Sequence, residues 1–180
     1  DKLLAANVAD DILRNTDKIK YKPSEKRPLT LAEKKAVFNA TYKYDSDQAY
    51  VYLIYGCGLR REECVALTIF DFNFKKREVS VSKAYEYITN TPGVKDPKSA
   101  NGIRTIPIPS KILPVIQSYV ESVKHSGRTQ LFVTMRDKKP LTKSAYDKMW
   151  KRIVESMQAV CKEDIVGLTG HVFRHNYCSS

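Results

Sequence analysis

Residues 45–67 read Asp45-Ser46-Asp47-Gln48-Ala49-Tyr50-Val51-Tyr52-Leu53-Ile54-Tyr55-Gly56-Cys57-Gly58-Leu59-Arg60-Arg61-Glu62-Glu63-Cys64-Val65-Ala66-Leu67. The run from Asp45–Asp47 to Tyr55 is apolar on most sides, which predicts a helix inside the core. Gly56 and Gly58 end it, and Arg60 to Leu67 form another short helix that opens on two arginines. The helix dipole favours cations at the opposite end, so it gives no reason for arginine here. Glu62 or Glu63, with free backbone N–H groups, can hold such an arginine near an anion. A solvated, salt-bridged turn accounts for the same residues.

Upstream, Thr30-Leu31-Ala32-Glu33 has capping-box spacing and predicts a helix running to about Tyr42. Leu4, Val8 and Ile12 give residues 3–15 a short amphipathic helix. Between them, residues 18–28 hold two prolines and five basic side chains, an extended cationic linker. Residues 1–22 are therefore expected to end an upstream unit and its linker, and residues 23–180 to form one domain.

Downstream the period changes. Glu78-Val79-Ser80-Val81-Ser82 alternates as a strand, and Tyr85-Glu86-Tyr87-Ile88 extends or follows it. Arg104-Thr105-Ile106-Pro107-Ile108 alternates again, its proline pointing to a sheet edge. Helices are predicted at about 110–125, 143–160 and 171–180, with a short strand at Leu131–Val133. Trp150 reads as core filling. The class is α+β, mainly helical, with a small antiparallel sheet on one side of a helical core.

A chain of 180 residues with 42% hydrophobic and 28% charged side chains suits one ordinary globular domain. No apolar run approaches the ~18–20 residues of a membrane span, and the first residues lack a signal core. The net charge of +11 suits a polyanionic partner. It is uneven: residues 1–90 carry +3 and residues 91–180 carry +8. Cys57, Cys64, Cys161 and Cys178 form no C-x-x-C pair and have no histidine at zinc-finger spacing, so reduced thiols and no metal are expected.

Two further segments stand out. Lys95-Asp96-Pro97-Lys98-Ser99-Ala100-Asn101-Gly102-Ile103-Arg104 reads as a turn between strands, where a lysine can serve as proton donor or point charge. In Thr169-Gly170-His171-Val172-Phe173-Arg174-His175-Asn176-Tyr177, His171 and Arg174 share a helix face. A guanidinium forking onto two oxygens beside an imidazole suits an anionic substrate that exchanges a proton. Phe173 and Tyr177 share a different stripe, expected to be buried.

In order, G-L-R-x-x-E, a lysine on a turn followed by R-T-I-P-I-P, and H-x-x-R-H opening a helix resemble the catalytic domain of the tyrosine recombinases, the phage-integrase family. The spacing of 111 residues from Arg60 to His171 suits that family. The match covers about residues 24–180, and its wording looks most like integrases of phages and conjugative transposons. The resemblance implies that Arg60 and Arg174 clamp the scissile phosphate. It makes Lys98, with Lys95 as competitor, the general acid at the leaving 5′-oxygen, and has His171 manage the nucleophile's proton or help hold the phosphate. Glu63 corresponds to the acidic residue that orients the site.

The family's nucleophile is a tyrosine further on, and none is assigned in this chain; Tyr177 matches an aromatic packing position. Gly170 departs from the proline common in relatives. No metal or other cofactor is implied. The implied partners are double-stranded DNA, further protomers in a tetrameric synapse, and accessory excision or DNA-bending proteins, in the bacterial cytoplasm. Lys20, Lys22, Lys26 and Arg27 in the linker, and Lys143, Lys151 and Arg152 on the 143–160 helix, are candidate contacts to DNA phosphates. A topoisomerase with the same core, a DNA-binding regulator without chemistry and a phosphate-binding metabolic enzyme are the alternative readings. The retained set Arg60, Lys98, His171 and Arg174 argues against a pure binder, and the absence of a Gly-rich cradle against the last.

Overall fold

The computed structural model describes residues 27–95 and 103–178. The predicted 3–15 helix, Lys20, Lys22, Lys26 and Lys98 lie outside them. Six α-helices are described: α1 (Leu31–Asn39), α2 (Asp45–Cys57), α3 (Arg61–Val65), α4 (Leu113–His125), α5 (Lys143–Gln158) and α6 (Gly170–Cys178), with a 3-10 turn at Ile69–Asp71. The strands are β1 (Phe72–Asn73), β2 (Glu78–Val81), β3 (Ala84–Glu86), β4 (Gly93–Lys95) and β5 (Arg104–Pro107).

Helix α2 is the central element, as its all-round apolarity requires. Ala49, Tyr50, Val51, Leu53, Ile54 and Cys57 are buried on it, and α3, α4, α5 and α6 pack around it. Full burial of a side chain such as Leu53 or Ile54 contributes about 1.5–3 kcal/mol relative to exposure. Tyr50 meets Phe132, Tyr146 and Trp150 in edge-on contacts, and its hydroxyl shares a 3.0 Å hydrogen bond with that of Tyr146. Trp150 joins this cluster to Phe173 of α6 and donates its indole N–H to the Leu168 carbonyl. Trp150 is half-buried and packs against the core rather than filling its interior.

Thr30 caps α1 as the sequence predicts: its hydroxyl accepts from the Glu33 N–H, and the Glu33 carboxylate accepts from the Thr30 N–H. The helix stops at Asn39, short of Tyr42, because the Tyr42 hydroxyl folds back to donate to the Val37 carbonyl. That bond satisfies a carbonyl at the helix end.

The strands form two antiparallel pairings. One sheet has the order β1-β2-β5, with Val79 opposite Ile106 and Val81 opposite Arg104. Pro107 falls on its β5 edge, as expected. The other sheet pairs β3 with β4, which sequence periodicity did not reveal. Strands β4 and β5 therefore belong to different sheets, and the turn predicted between them, residues 96–102, lies outside the described residues. Residues 131–133 form no strand; isolated bridges join Thr68 to Gln130 and Val133 to Pro140.

Tyr177 departs from expectation. Phe173 is buried against Tyr55 and Trp150, but Tyr177 remains 39% exposed. Its ring lies over Gly58 rather than in the core: a Cβ built at Gly58 would stand 2.2 Å from the ring's Cδ1. Gly58 also has φ +60°, so glycine is required by conformation and by contact alike. The spacing that pairs Phe173 with Tyr177 is that of a helix face, and at the last turn of α6 that face overhangs the turn that follows α2.

Candidate active site

The site gathers at the turn between α2 and α3. Gly58 closes α2 in the left-handed conformation, and Arg60 holds the N-cap position of α3 in extended backbone. The Arg60 N–H donates to Glu63 Oε2 and its Nη1 donates to Glu63 Oε1, both at 2.9 Å. Glu63 is thus the reason an arginine can sit at this helix start. Arg60 keeps a side-chain exposure of 54%, so its guanidinium stays open to an incoming group.

Arg61 turns elsewhere. Its Nε donates to Glu62 at 2.8 Å, and the guanidinium lies 5.2 Å from the centre of the Tyr146 ring. The two adjacent arginines therefore have separate tasks, one open to solvent and one holding α5.

Helix α6 supplies the next groups. Arg174 Nη1 donates to the Gly58 carbonyl at 2.6 Å, which brings its guanidinium to the turn carrying Arg60. His171 is exposed in the first turn of α6. A Cβ built at Gly170 would lie 3.9 Å from the Tyr50 hydroxyl and 4.0 Å from Arg61 Cβ, so α6 begins against α3.

Arg104 completes the frame and was not singled out by sequence. Its Nη1 and Nη2 donate to Glu63 Oε1 and Oε2 at 2.9 and 2.6 Å, a parallel fork from β5 onto α3. Its signal in the sequence is the arginine that opens R-T-I-P. Burial pushes the Glu63 carboxyl upward, but Arg104 first, then the Arg60 backbone and guanidinium, outweigh it and hold the carboxyl at about 2. Glu63 therefore stays a carboxylate across the physiological range.

The remaining candidates divide. Lys95, the competitor of Lys98, is paired with Glu86 across the β3–β4 ladder. Arg27 forks onto Glu33 and donates to the Val166 carbonyl, tying the start of the described chain to the segment before α6. Arg152 forks onto Asp47, which is only 1% exposed. Both arginines, candidate phosphate contacts by sequence, are engaged in intramolecular ion pairs and keep side-chain exposures of 30% and 27%. Lys143 and Lys151 face solvent, with Lys151 3.9 Å from Glu155. Burial pushes the Cys57 thiol up to about 12, so it is no nucleophile at neutral pH.

Residues 28–180 match the phage integrase family. The transposase of transposon Tn916 from Enterococcus faecalis is 23% identical over the full length of this chain, which covers 44% of that protein. A XerC-like tyrosine recombinase from Caldanaerobacter subterraneus subsp. tengcongensis is 32% identical over 81 residues, 40% of this chain and 21% of that one. The chain thus spans less than half the length of these curated relatives. Among solved structures, the Tn1549 transposon integrase in complex with transposon right end DNA superposes with a TM-score of 0.70 at 25% identity. That match covers 86% of this chain and 52% of the integrase. The XerA recombinase shares the fold at a TM-score of 0.62 and 19% identity, over 85% of this chain and 48% of its own. With this fold, and with arginines of α3 and α6 gathered at one turn, the chain belongs to the phage integrase family and carries the catalytic-domain fold of the tyrosine recombinases.

Proposed function

We propose that residues 23–180 are the catalytic domain of a site-specific DNA recombinase that integrates and excises a mobile element, and that residues 1–22 end an upstream DNA-core-binding domain and its linker. The observation that carries this reading is the placing of Arg60 and Arg174 at one turn, with Glu63 only partly offsetting the cationic charge. Arg60 and Arg174 hold the non-bridging oxygens of the scissile phosphate, where charge accumulates during displacement. A tyrosine oxygen outside this chain attacks phosphorus, forming a 3′-phosphotyrosine as the bond to the 5′-oxygen breaks. Lys98, six residues before Arg104, protonates that leaving oxygen. His171 takes the nucleophile's proton or holds the phosphate. Attack by the freed 5′-hydroxyl of a partner strand reverses the chemistry and rejoins DNA. In the intact protein four protomers assemble on two duplexes.

Duplex binding by the 180-residue chain is expected to rest on the backbone. With ~6 phosphates contacted, released counterions lower affinity roughly a thousandfold between 50 and 200 mM salt. A flat salt titration would overturn the DNA reading.

The chain alone is expected to bind without cutting. Incubation with a nicked suicide substrate and denaturing electrophoresis should show no covalent adduct. An adduct that vanishes in Tyr177→Phe would make Tyr177, already resting on the Gly58 turn, the nucleophile. Full-length protein that binds its site but yields no adduct would favour the regulator reading.

A further inference from the structure

We propose that Arg104 is a positioning residue for the reaction: by sharing the Glu63 carboxylate with Arg60 it fixes the Arg60 guanidinium in place toward the phosphate. The inference rests on the recombinase reading for its catalytic consequence, and on geometry alone for the positioning itself.

Arg60 is more than half exposed, and an arginine side chain free to sample its rotamers loses about 2 kcal/mol of entropy on being held. A single carboxylate contact leaves much of that freedom, because the carboxylate can itself rotate. Arg104 removes this freedom. Its two nitrogens meet both oxygens of Glu63 in parallel, which fixes the carboxylate plane. Arg104 is in turn held by strand pairing opposite Val81. Each Glu63 oxygen then accepts once from Arg104 and once from Arg60, so the orientation set by β5 passes to the N-cap of α3.

Charge gives the second reason. The ionised Glu63 carboxylate is the acceptor that anchors Arg60, and Arg104 offsets its charge while leaving that anchor in place. With Arg104 the group holds two guanidiniums on one carboxylate, a net charge of about +1. Their Nη1 atoms are no more than about 6 Å apart, because each stands 2.9 Å from the same Oε1. Removing Arg104 leaves a buried carboxylate with one half-exposed partner, an arrangement that favours protonation. The groups that bear on Glu63 are Arg60 from its own turn, Arg104 from β5 and the neighbouring Cys64 thiol. On the β3 side Glu86 is paired to Lys95, and Cys57 of α2 is buried.

The experiment has two arms. In the 180-residue chain, the Glu63 carboxyl is followed by carbon-detected NMR in wild type, Arg104→Gln and Arg104→Lys. Wild type should titrate at about 2, and Arg104→Gln should move the carboxyl into or above the ordinary carboxylate range. Arg104→Lys keeps the charge and should lie between, while the Arg60 side-chain N–H signals broaden in both variants. In full-length protein, Arg104→Gln should slow suicide-substrate cleavage ten- to a hundredfold, with DNA affinity within about threefold. The loss should be largest at acid pH and recover as Glu63 deprotonates, giving a rising limb that wild type lacks. An unmoved Glu63 titration with sharp Arg60 signals would overturn the positioning. A pH–rate profile parallel to wild type would overturn its catalytic consequence. If wild type itself fails to cleave, the recombinase reading falls, and the NMR arm alone decides whether Arg104 holds Arg60. Should Arg104→Gln fail to fold, Arg104→Lys serves in both arms, with the signal broadening and the slowed cleavage as its readouts.

Discussion

Arg60→Lys in the full-length protein is expected to lower strand cleavage at least a hundred- to a thousandfold, while duplex affinity changes by less than about tenfold. Arg60 does two things through one planar group. Its Nη1 donates to Glu63, and with a side-chain exposure of 54% the other donors of the planar guanidinium remain open to an incoming group. A lysine ammonium can keep the bond to Glu63 or turn to the phosphate, but cannot present two parallel donors while anchored. Ground-state attraction depends mainly on total charge, and lysine preserves that. Transition-state stabilisation depends on donors already in place when charge moves onto the non-bridging oxygens, and lysine loses that. The check is adduct formation on a nicked substrate beside a binding titration at one salt concentration. Equal losses in binding and cleavage would mean that Arg60 only attracts DNA, and cleavage within tenfold of wild type would remove it from the phosphate site.

The adjacency of Arg60 and Arg61 shows what a sequence can convey and where it stops. That an arginine at this helix start takes a glutamate partner is legible, because Glu62 and Glu63 follow within three residues and Glu63 is the one that accepts from Arg60. The long apolar helix behind it is legible for the same reason: a run without a polar face has only the core to occupy. Glu63 is legible as an orienting group through the G-L-R-x-x-E resemblance, since the residues alone leave Glu62 and Glu63 as equal candidates. Arg104 is not, because its meaning lies in Glu63, 41 residues earlier, and an arginine at the start of an edge strand looks like any charged side chain that keeps a sheet edge in water. Tyr177 misleads in another way. The four-residue spacing from Phe173 is a rule about helix faces, and it says nothing about what a face meets at the helix end. There it meets Gly58, whose missing side chain makes room for the ring.

Arg152 carries the other large expected effect. On α5 it falls among Lys143, Lys148 and Lys151, and by sequence it belongs to a cationic face. In the structure it crosses to α2, forking onto Asp47 across a separation of 105 residues, with Nε at 3.1 Å and Nη2 at 2.9 Å. Its guanidinium also lies 5.0 Å from the Tyr44 ring centre. Asp47 is almost wholly buried, so removal of Arg152 leaves a carboxylate with neither solvent nor its ion-pair partner. Arg152→Ala should therefore destabilise the domain by about 3 kcal/mol at neutral pH, the lower end for a broken buried pair because the Arg152 side chain keeps 27% exposure. The pH dependence has a definite sign. Burial already raises the Asp47 carboxyl above its ordinary value against the pull of Arg152 and Lys43. Without Arg152 it rises further, so the folded variant binds more protons than the unfolded chain between the two values. Its stability then falls as pH rises through that window. Urea unfolding of wild type and variant at pH 5 and pH 7.5 should show a wider gap at the higher pH. Duplex affinity of the folded variant should stay within about threefold of wild type, since a guanidinium held by Asp47 has little left to offer a phosphate. A stable variant that loses DNA affinity would return Arg152 to the DNA-contacting face and make Asp47 a residue that merely shields it.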